Sequence, residues 1–291
     1  MLNIEYRPFH LDKTNEVVEF VTLHPWKPLW SKDYIHQFID HLISSYDLCF
    51  DLFIDQERIA TAVLIDKVQN KGNNACLEIL GLNQHYDVIQ IYQSLIDTAK
   101  SKLPKMHSGI EITIHESRKE VVNLLHNNGF DIYYDLYNMH CKPKPSKTGL
   151  IDNISLLQEK DFAACYKTIC LSFKDNPELA IPLYDDWLAS QKSQKKQTWI
   201  YKEDNQINGF LNLFVDTEKL FGDINYVGVV PNQRKKGIGK KLLQFSLNYF
   251  SQQRIKNCHL TVASRNKNAL SLYHELGFEL SEHFTVFRFQ I

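Results

Sequence analysis

The chain has 291 residues, a formal net charge of −1, 44% hydrophobic and 23% charged residues, and few Gly and Pro. That length suits one large domain or two ordinary ones, and the composition excludes the disordered, fibrous and membrane-embedded classes. A charge interrupts every apolar run before the roughly 18 residues that a bilayer span needs.

The opening residues, MLNIEYRPFH, carry an acid and no apolar core, so no secretory signal is expected and a cytoplasmic location follows. His24-Pro-Trp-Lys-Pro-Leu-Trp30 could be an aromatic binding loop; the preferred reading caps the first domain or buries it between the halves. The six cysteines (Cys49, Cys76, Cys141, Cys165, Cys170, Cys258) show no CxxC pair and no histidine at zinc spacing. They read as reduced, mostly buried thiols, and no metal is expected. Cys141-Lys-Pro-Lys-Pro-Ser-Lys-Thr-Gly149 continues neither a helix nor a central strand. The division is therefore 1–141, a linker at 142–150, and 151–291.

Beyond the linker, period-2 and period-3.6 patterning predicts a strand at Asn153–Leu157 and a helix at Glu159–Phe173. A second helix surrounds Tyr184–Ser190, and strands follow at Thr198–Lys202, Gly209–Val215 and Ile224–Val230. Then come a helix from Gly237 to about Gln252, a strand at Cys258–Ala263 and a helix from Lys267 to Leu276. Two short strands, Phe278–Leu280 and Thr285–Gln290, close the chain.

The first half repeats this plan. Ile112–Phe130 lies over Leu260–Phe278 without a gap at an offset of 148, matching Thr113, Lys119, Leu124, His126, Gly129 and Phe130. Asn83-Gln84 falls on Asn232-Gln233 at an offset of 149. Identities and element order together indicate an internal duplication. The halves differ in charge: 14 Lys+Arg against 19 Asp+Glu in residues 1–145, 19 against 15 in residues 146–291. In the second half the excess is local, at Arg234, Lys235, Lys236, Lys240 and Lys241, which suits a small anionic ligand. A nucleic-acid surface would need a wider basic field with interleaved aromatics.

That cluster lies in Val229-Val-Pro-Asn-Gln-Arg-Lys-Lys-Gly-Ile-Gly-Lys240 and the residue after it, a strand end, a glycine-punctuated turn and a helix start. A helix N-terminus offers about four unpaired N–H groups and a positive dipole end, and glycines allow close backbone approach to a bulky anion. Such a turn can cradle a pyrophosphate. Leu242 occupies the third glycine position of a dinucleotide fingerprint, and the spacing is not that of a P-loop.

Arg234-x-x-Gly237-x-Gly239, preceded by Val-Val-Pro, resembles motif A of the GNAT N-acetyltransferase superfamily. Asn266-x-x-Ala269-x-x-Leu272-Tyr273-x-x-x-Gly277-Phe278 resembles its motif B. The resemblance covers Asn153–Ile291 fully and the first half in degenerate form. It implies two tandem mixed α/β domains, each a mostly antiparallel sheet splayed between its fourth and fifth strands, with acetyl-CoA in the resulting V. By that resemblance Gly228, Val229 and Val230 meet the pantetheine arm and thioester. Arg234, Lys235, Lys236, Gly237, Ile238, Gly239 and Lys240 hold the pyrophosphate, and Asn266 bonds the pantetheine.

The attacking amine must be neutral and the departing thiolate needs a proton. Tyr273 matches the family's general acid; alternatively it packs beside Leu272 and Leu276. Asp223 corresponds to a glutamate base of the histone acetyltransferase branch; alternatively it is a solvated carboxylate in a turn beside Gly222. Strand alternation puts Asp223, Asn225, Val227 and Val229 on one face. Asn225, Tyr184 and Trp187 are the candidate acceptor contacts, while His259 and His274 read as structural. In the first half the 149 register puts Val88, Gln90 and Asp87 at the places of Gly237, Gly239 and Lys236. At an offset of 148, Leu125 and Arg118 replace Tyr273 and Asn266. The first copy is expected to keep the fold without the cofactor. The expected reaction is direct acetyl transfer from acetyl-CoA to a primary amine on a small molecule or peptide. It involves no metal, nucleic acid or membrane, and the protein is a monomer or homodimer. The rival class is a non-catalytic CoA-binding module, and a longer acyl donor is an enzymatic alternative.

Overall fold

The structure is a computed structural model describing residues 3–9, 13–25, 48–65, 74–105, 107–144, 153–176, 181–192 and 195–291. Most of the aromatic segment at 24–30 and most of the linker lie outside the described residues.

Two compact units arise. The first contains the strands β1 (Glu5–Pro8), β2 (Cys49–Ile54), β3 (Glu57–Ile65), β4 (Asn74–Leu82) and β5 (Gly109–His115). Its helices are α1 (Thr14–Leu23), α2 (Val88–Lys102) and α3 (Lys119–Asn127). A long strand, β6 (Phe130–Cys141), leaves it. The second contains β7 (Ile154–Leu156), α4 (Phe162–Phe173), α5 (Tyr184–Ser190), β8 (Lys196–Glu203), β9 (Gln206–Asp216) and β10 (Phe221–Val229). It continues with α6 (Ile238–Gln252), β11 (Asn257–Ala263), α7 (Lys267–Glu275) and the first part of β12 (Glu279–Gln290), whose residues from Thr285 onward lie in the first unit. The two predicted closing strands are thus one continuous strand. β4–β5 and β10–β11 are parallel, and the other registered ladders, from β1 to β4, from β7 to β10 and between β6 and β11, are antiparallel.

The duplication is visible element by element. β5 and β11, and likewise α3 and α7, have bounds that differ by 148. Gly129 (φ 79°) and Gly277 (φ 86°) end those helices in the left-handed region, where a Cβ is strained. His126 Nδ1 and His274 Nδ1 each lie 3.1 Å from a carbonyl oxygen, of Phe130 and Phe278 respectively.

The packed units do not coincide with the two contiguous segments of sequence. Tyr134–Phe284 forms the second unit, and Thr285–Ile291 joins the first. In the second unit Cys258–Ala263 of β11 pairs with Leu136–Cys141 of β6, whose Met139 and Cys141 enter a core with Leu211, Leu213 and Leu242. In the first unit Ile291 N–H donates to Ser108 O at 3.0 Å, and Phe287 joins a core with Ile91, Leu95 and Ile112. Burying such side chains supplies roughly 25 cal/mol per Å² of apolar surface, so each unit draws stability from a strand of the other half of the sequence.

Candidate active site

The β10–β11 ladder pairs only Phe221–Ile224 with Asn257–Leu260, although β10 runs to Val229 and β11 to Ala263. The strands therefore part after Ile224. At that point Asn225 is an extra residue: Ile224 pairs with Leu213, and Tyr226 pairs with Asn212. A bulge of this kind shifts the side-chain alternation by one. Asp223, opposite Phe214, and Gly228, opposite Phe210, consequently share the α4 face, with Asn225 bonded to Asn212. Val227 and Val229, opposite Leu211 and Gly209, turn to the α6 face. The expected single face of Asp223, Asn225, Val227 and Val229 is corrected, because strict alternation fails at the bulge.

Asp223 is a strand residue rather than a turn residue, since Gly222 lies in β10 with its α-carbon against the Phe250 ring, where a Cβ would come within 2.7 Å. Burial lifts the Asp223 carboxyl to about 7, and the Ile224 N–H bond opposes this only in part. His259 is its partner in the parallel ladder, with the His140 ring 6.0 Å away. Burial lowers the His259 pKa, and His140 adds to that. Nothing in the local sequence signals this neighbourhood of one carboxylate and two histidines, because β6, β10 and β11 supply one residue each.

Tyr273 lies on α7 in the core with Ile224 and Val262, its ring 5.8 Å from Phe278. Burial pushes its hydroxyl up to about 12. Tyr273 and Asp223 approach the parted strands from opposite faces.

At the end of β10 the chain makes a short 3-10 turn, Pro231–Gln233, then enters α6 through Lys235 (φ 63°) and Gly237 (φ 80°). Gly237 provides no side-chain cap, and the first carbonyl it offers goes to Lys241 N–H at 3.0 Å. The N–H groups of Ile238, Gly239 and Lys240 have no carbonyl in the helix to reach. A Cβ on Gly237 would meet nothing within 4 Å, and one on Gly239 would come no closer than 3.9 Å to Leu272 and Val229. Packing within the chain therefore does not demand glycine at 239, where Ala would favour the helix by up to about 1 kcal/mol. An anion seated on these N–H groups would demand it, so the turn fits a diphosphate.

The basic side chains divide their work. Arg234 Nε donates to Val229 O at 3.2 Å, and its Nη2 donates to Ser172 O at 2.7 Å, bracing β10 against α4. Lys236 Nζ donates to Gln233 at 2.8 Å, Lys240 pairs with Glu275, and Lys235 is exposed. Val230 N–H donates to Asn208 O at 3.1 Å. Gly228 answers a packing need, since a Cβ there would sit 2.4 Å from the Phe210 ring. Asn266 caps α7 through Ala269 N–H at 3.2 Å. Trp187 is 6% exposed within the α4–α5 aromatic cluster, against Tyr166 at 5.5 Å, whereas Tyr184 is 37% exposed. Of the two aromatic acceptor contacts expected, Tyr184 is the open one.

The equivalent turn in the first unit is different. Five residues join β4 to α2, against eight between β10 and α6, so the ungapped 149 register breaks here. Matching the helix starts puts Asp87 at the Gly237 position and Ile89 at the Gly239 position, a correction to Val88 and Gln90. Asp87 Oδ1 accepts from Ile89 N–H at 2.9 Å and Gln90 N–H at 3.2 Å, filling the helix end with the chain's own carboxylate. Cys76 stands at the ladder position of Asp223, and Leu125 and Arg118 at those of Tyr273 and Asn266.

A mixed sheet that parts beside an uncapped helix end, with a carboxyl and a phenol on opposite faces, defines an acyltransferase-type fold. Residues 161–278 of the chain match the acetyltransferase (GNAT) family. It is 27% identical over 151 residues to a mycothiol acetyltransferase of Renibacterium salmoninarum, covering 48% of this chain and 44% of that protein. A peptidyl-lysine N-acetyltransferase of Escherichia coli is 31% identical over 84 residues, 29% of this chain and 51% of the relative. The aligned stretch thus spans about half or less of these relatives' length. A tandem GNAT protein from the clavulanic acid biosynthesis pathway superposes with a TM-score of 0.71 at 10% identity, covering 99% of this chain and 98% of that one. At that identity the likeness concerns the fold alone, and it extends across both halves. Among the described residues no helix is long and apolar enough to cross a membrane.

Proposed function

We propose that the second unit transfers the acetyl group of acetyl-CoA directly to a primary amine. The observation that carries this reading is the end of α6: three free N–H groups and a glycine at 239 that no neighbour requires. Gly237, Ile238, Gly239 and Lys240 would hold the diphosphate, with Lys235 and Lys236 beside it. Bound acetyl-CoA supplies the thioester carbonyl. Asp223, with its carboxyl near 7, takes a proton from the incoming amine, whose lone pair is then free to attack. Tyr273 hands its proton to the departing thiolate. A phenol raised to about 12 is fully protonated at the start of the reaction, so its proton is available when the thiolate departs. Tyr184 and Asn225 face the acceptor side. One relative is named for mycothiol and another for peptidyl-lysine, so their names do not converge on one acceptor.

The first unit keeps the fold and has lost the cofactor. Asp87 occupies its helix end, the turn is three residues shorter, Leu125 at the Tyr273 position carries no proton to give, and Cys76 replaces the Asp223 carboxylate. Release of free thiol from acetyl-CoA, measured across a panel of primary amines, tests the assignment. Amine-dependent release supports it. Tight CoA binding without release for any amine would make the protein a CoA-binding module, and release only from longer acyl-CoAs would reassign the donor.

A further inference from the structure

A line of four amide and hydroxyl side chains crosses the second unit from α5 to the bulge of β10. Gln191 Nε2 donates to Trp187 O at 3.2 Å and to Ser190 Oγ at 3.0 Å. Thr198 Oγ1 donates to Gln191 Oε1 at 2.7 Å, Asn212 Nδ2 to Thr198 Oγ1 at 2.8 Å, and Asn225 Nδ2 to Asn212 Oδ1 at 3.1 Å. Thr198 and Asn212 are buried, and Asn225 is exposed.

The direction of every bond follows from the first. A backbone carbonyl only accepts, so the side of Gln191 that meets Trp187 O is its NH₂. Ser190 agrees, because its single proton goes to Trp187 O at 2.6 Å, leaving its oxygen to accept from Gln191. Gln191 Oε1 therefore faces Thr198, whose one proton must go there. Thr198 can then only accept from Asn212, whose amide nitrogen is thereby fixed and whose oxygen turns to Asn225. Asn225 must answer with its NH₂, which leaves Asn225 Oδ1 as the outward group. A reversed Asn225 would set two carbonyl oxygens against each other and leave this part-buried bond unmade, a cost of about 1 kcal/mol.

Asn225 is also the residue at which β10 leaves β11. Its cross-strand contact Asn212 and the Asp223 partner Phe214 are two residues apart on β9, so Asp223 and Asn225 share a face about 7 Å apart along the strand. We infer that Asn225 Oδ1 is a fixed hydrogen-bond acceptor for the incoming amine, held in that orientation by the Gln191–Thr198–Asn212 chain. Resting on the acetyl-transfer reading, this deepens it by naming what the acceptor must offer. The acceptor carries two N–H groups, one directed to Asp223 and one to Asn225, and a tertiary amine does not satisfy the site. Asn225 touches the substrate; Thr198, Asn212 and Gln191 position it.

The test uses the full chain with CoA bound and benzylamine as the probe, comparing wild type, Asn225→Ala, Thr198→Val and the double variant at pH 8. Calorimetry reads CoA affinity and benzylamine affinity separately, and thermal melting checks the fold. Asn225→Ala is expected to weaken benzylamine about tenfold with CoA affinity unchanged. Thr198→Val should show part of that loss, and the double variant should be no weaker for benzylamine than Asn225→Ala alone, because Thr198 acts through Asn225. In thiol-release assays the loss should fall on KM for the amine and spare KM for acetyl-CoA. Full benzylamine affinity in Asn225→Ala, strictly additive losses, or no benzylamine binding to the wild-type CoA complex would each overturn the inference. Absence of CoA binding in the wild type would overturn the acetyl-CoA reading and this inference with it, and is distinguished by its own calorimetric signal.

Discussion

Asp223 and Tyr273 carry opposite demands on the same environment. Burial raises both, the carboxyl to about 7 and the phenol to about 12; the proposed roles of base and acid make the following outcomes the expected ones. Tyr273→Phe keeps the ring on Phe278 and removes the proton, so turnover should fall about 10²-fold while acetyl-CoA binding is retained, as single-turnover kinetics and calorimetry would show. Asp223→Asn should remove the rate rise centred near pH 7, with activity recovering only at high pH where free amine is abundant. The same substitution has an opposite effect on stability. Because the folded value of about 7 lies above that of an unfolded carboxyl, the native state holds the proton more tightly. The contribution of Asp223 to stability is therefore fully present below about pH 4 and is lost as pH rises through 7. At about 1.4 kcal/mol per tenfold change in acidity, ionising Asp223 in place costs several kcal/mol. Asp223→Asn should accordingly melt several degrees higher than wild type at pH 8 and no higher at pH 4, which melting curves at both values would check.

At the scale of elements, α6 and α2 begin at corresponding places and end their turns differently. Gly239→Ala meets no atom closer than 3.9 Å, so the free protein should melt at or slightly above the wild-type temperature. Its CoA affinity should nevertheless drop at least tenfold in calorimetry, since the added methyl points where the diphosphate must approach. Unchanged affinity would remove α6 from the cofactor site. Gly237→Val is a poorer probe, because φ 80° is strained for a branched residue whatever the ligand. In α2 the Asp87 carboxylate satisfies the helix end from within. Titration should thus give one CoA per chain, and two equivalent sites would refute the reading of the first unit.

The whole molecule adds a constraint that neither half reveals alone. β11 is completed by β6, and Ser108 at the start of β5 by Ile291, so a cut in the linker leaves each fragment without a strand of its own unit. An exposed, unpaired strand edge invites aggregation. Residues 1–141 and 151–291 expressed separately should be poorly soluble, whereas their co-expression should restore a soluble pair that binds CoA, as size-exclusion chromatography and calorimetry would show. Independent folding of the second segment with full CoA affinity would contradict this dependence.

The sequence alone determined what depends on neighbours in the chain. The helix and strand periods of the second half follow from local patterning, and Gly237 marks the turn because a left-handed φ is a local need. The repeat at 148 was legible because β5–α3 and β11–α7 kept their lengths. Only the tertiary structure decided matters of pairing across the chain. The bulge at Asn225 is defined by β9, so the face of Val227 and Val229 cannot be read from β10. A three-residue difference in turn length shifted the match of Asp87, since an ungapped register carries no information about where a helix starts. Arg234 became a brace because Ser172, sixty-two residues away, presents it a carbonyl. The orientation of Asn225 is set by a carbonyl on another helix, through three side chains that no spacing rule connects. The last segment, Thr285–Ile291, joined the first unit because buried apolar surface is indifferent to chain order, and hydrogen bonding completes whichever edge the fold presents.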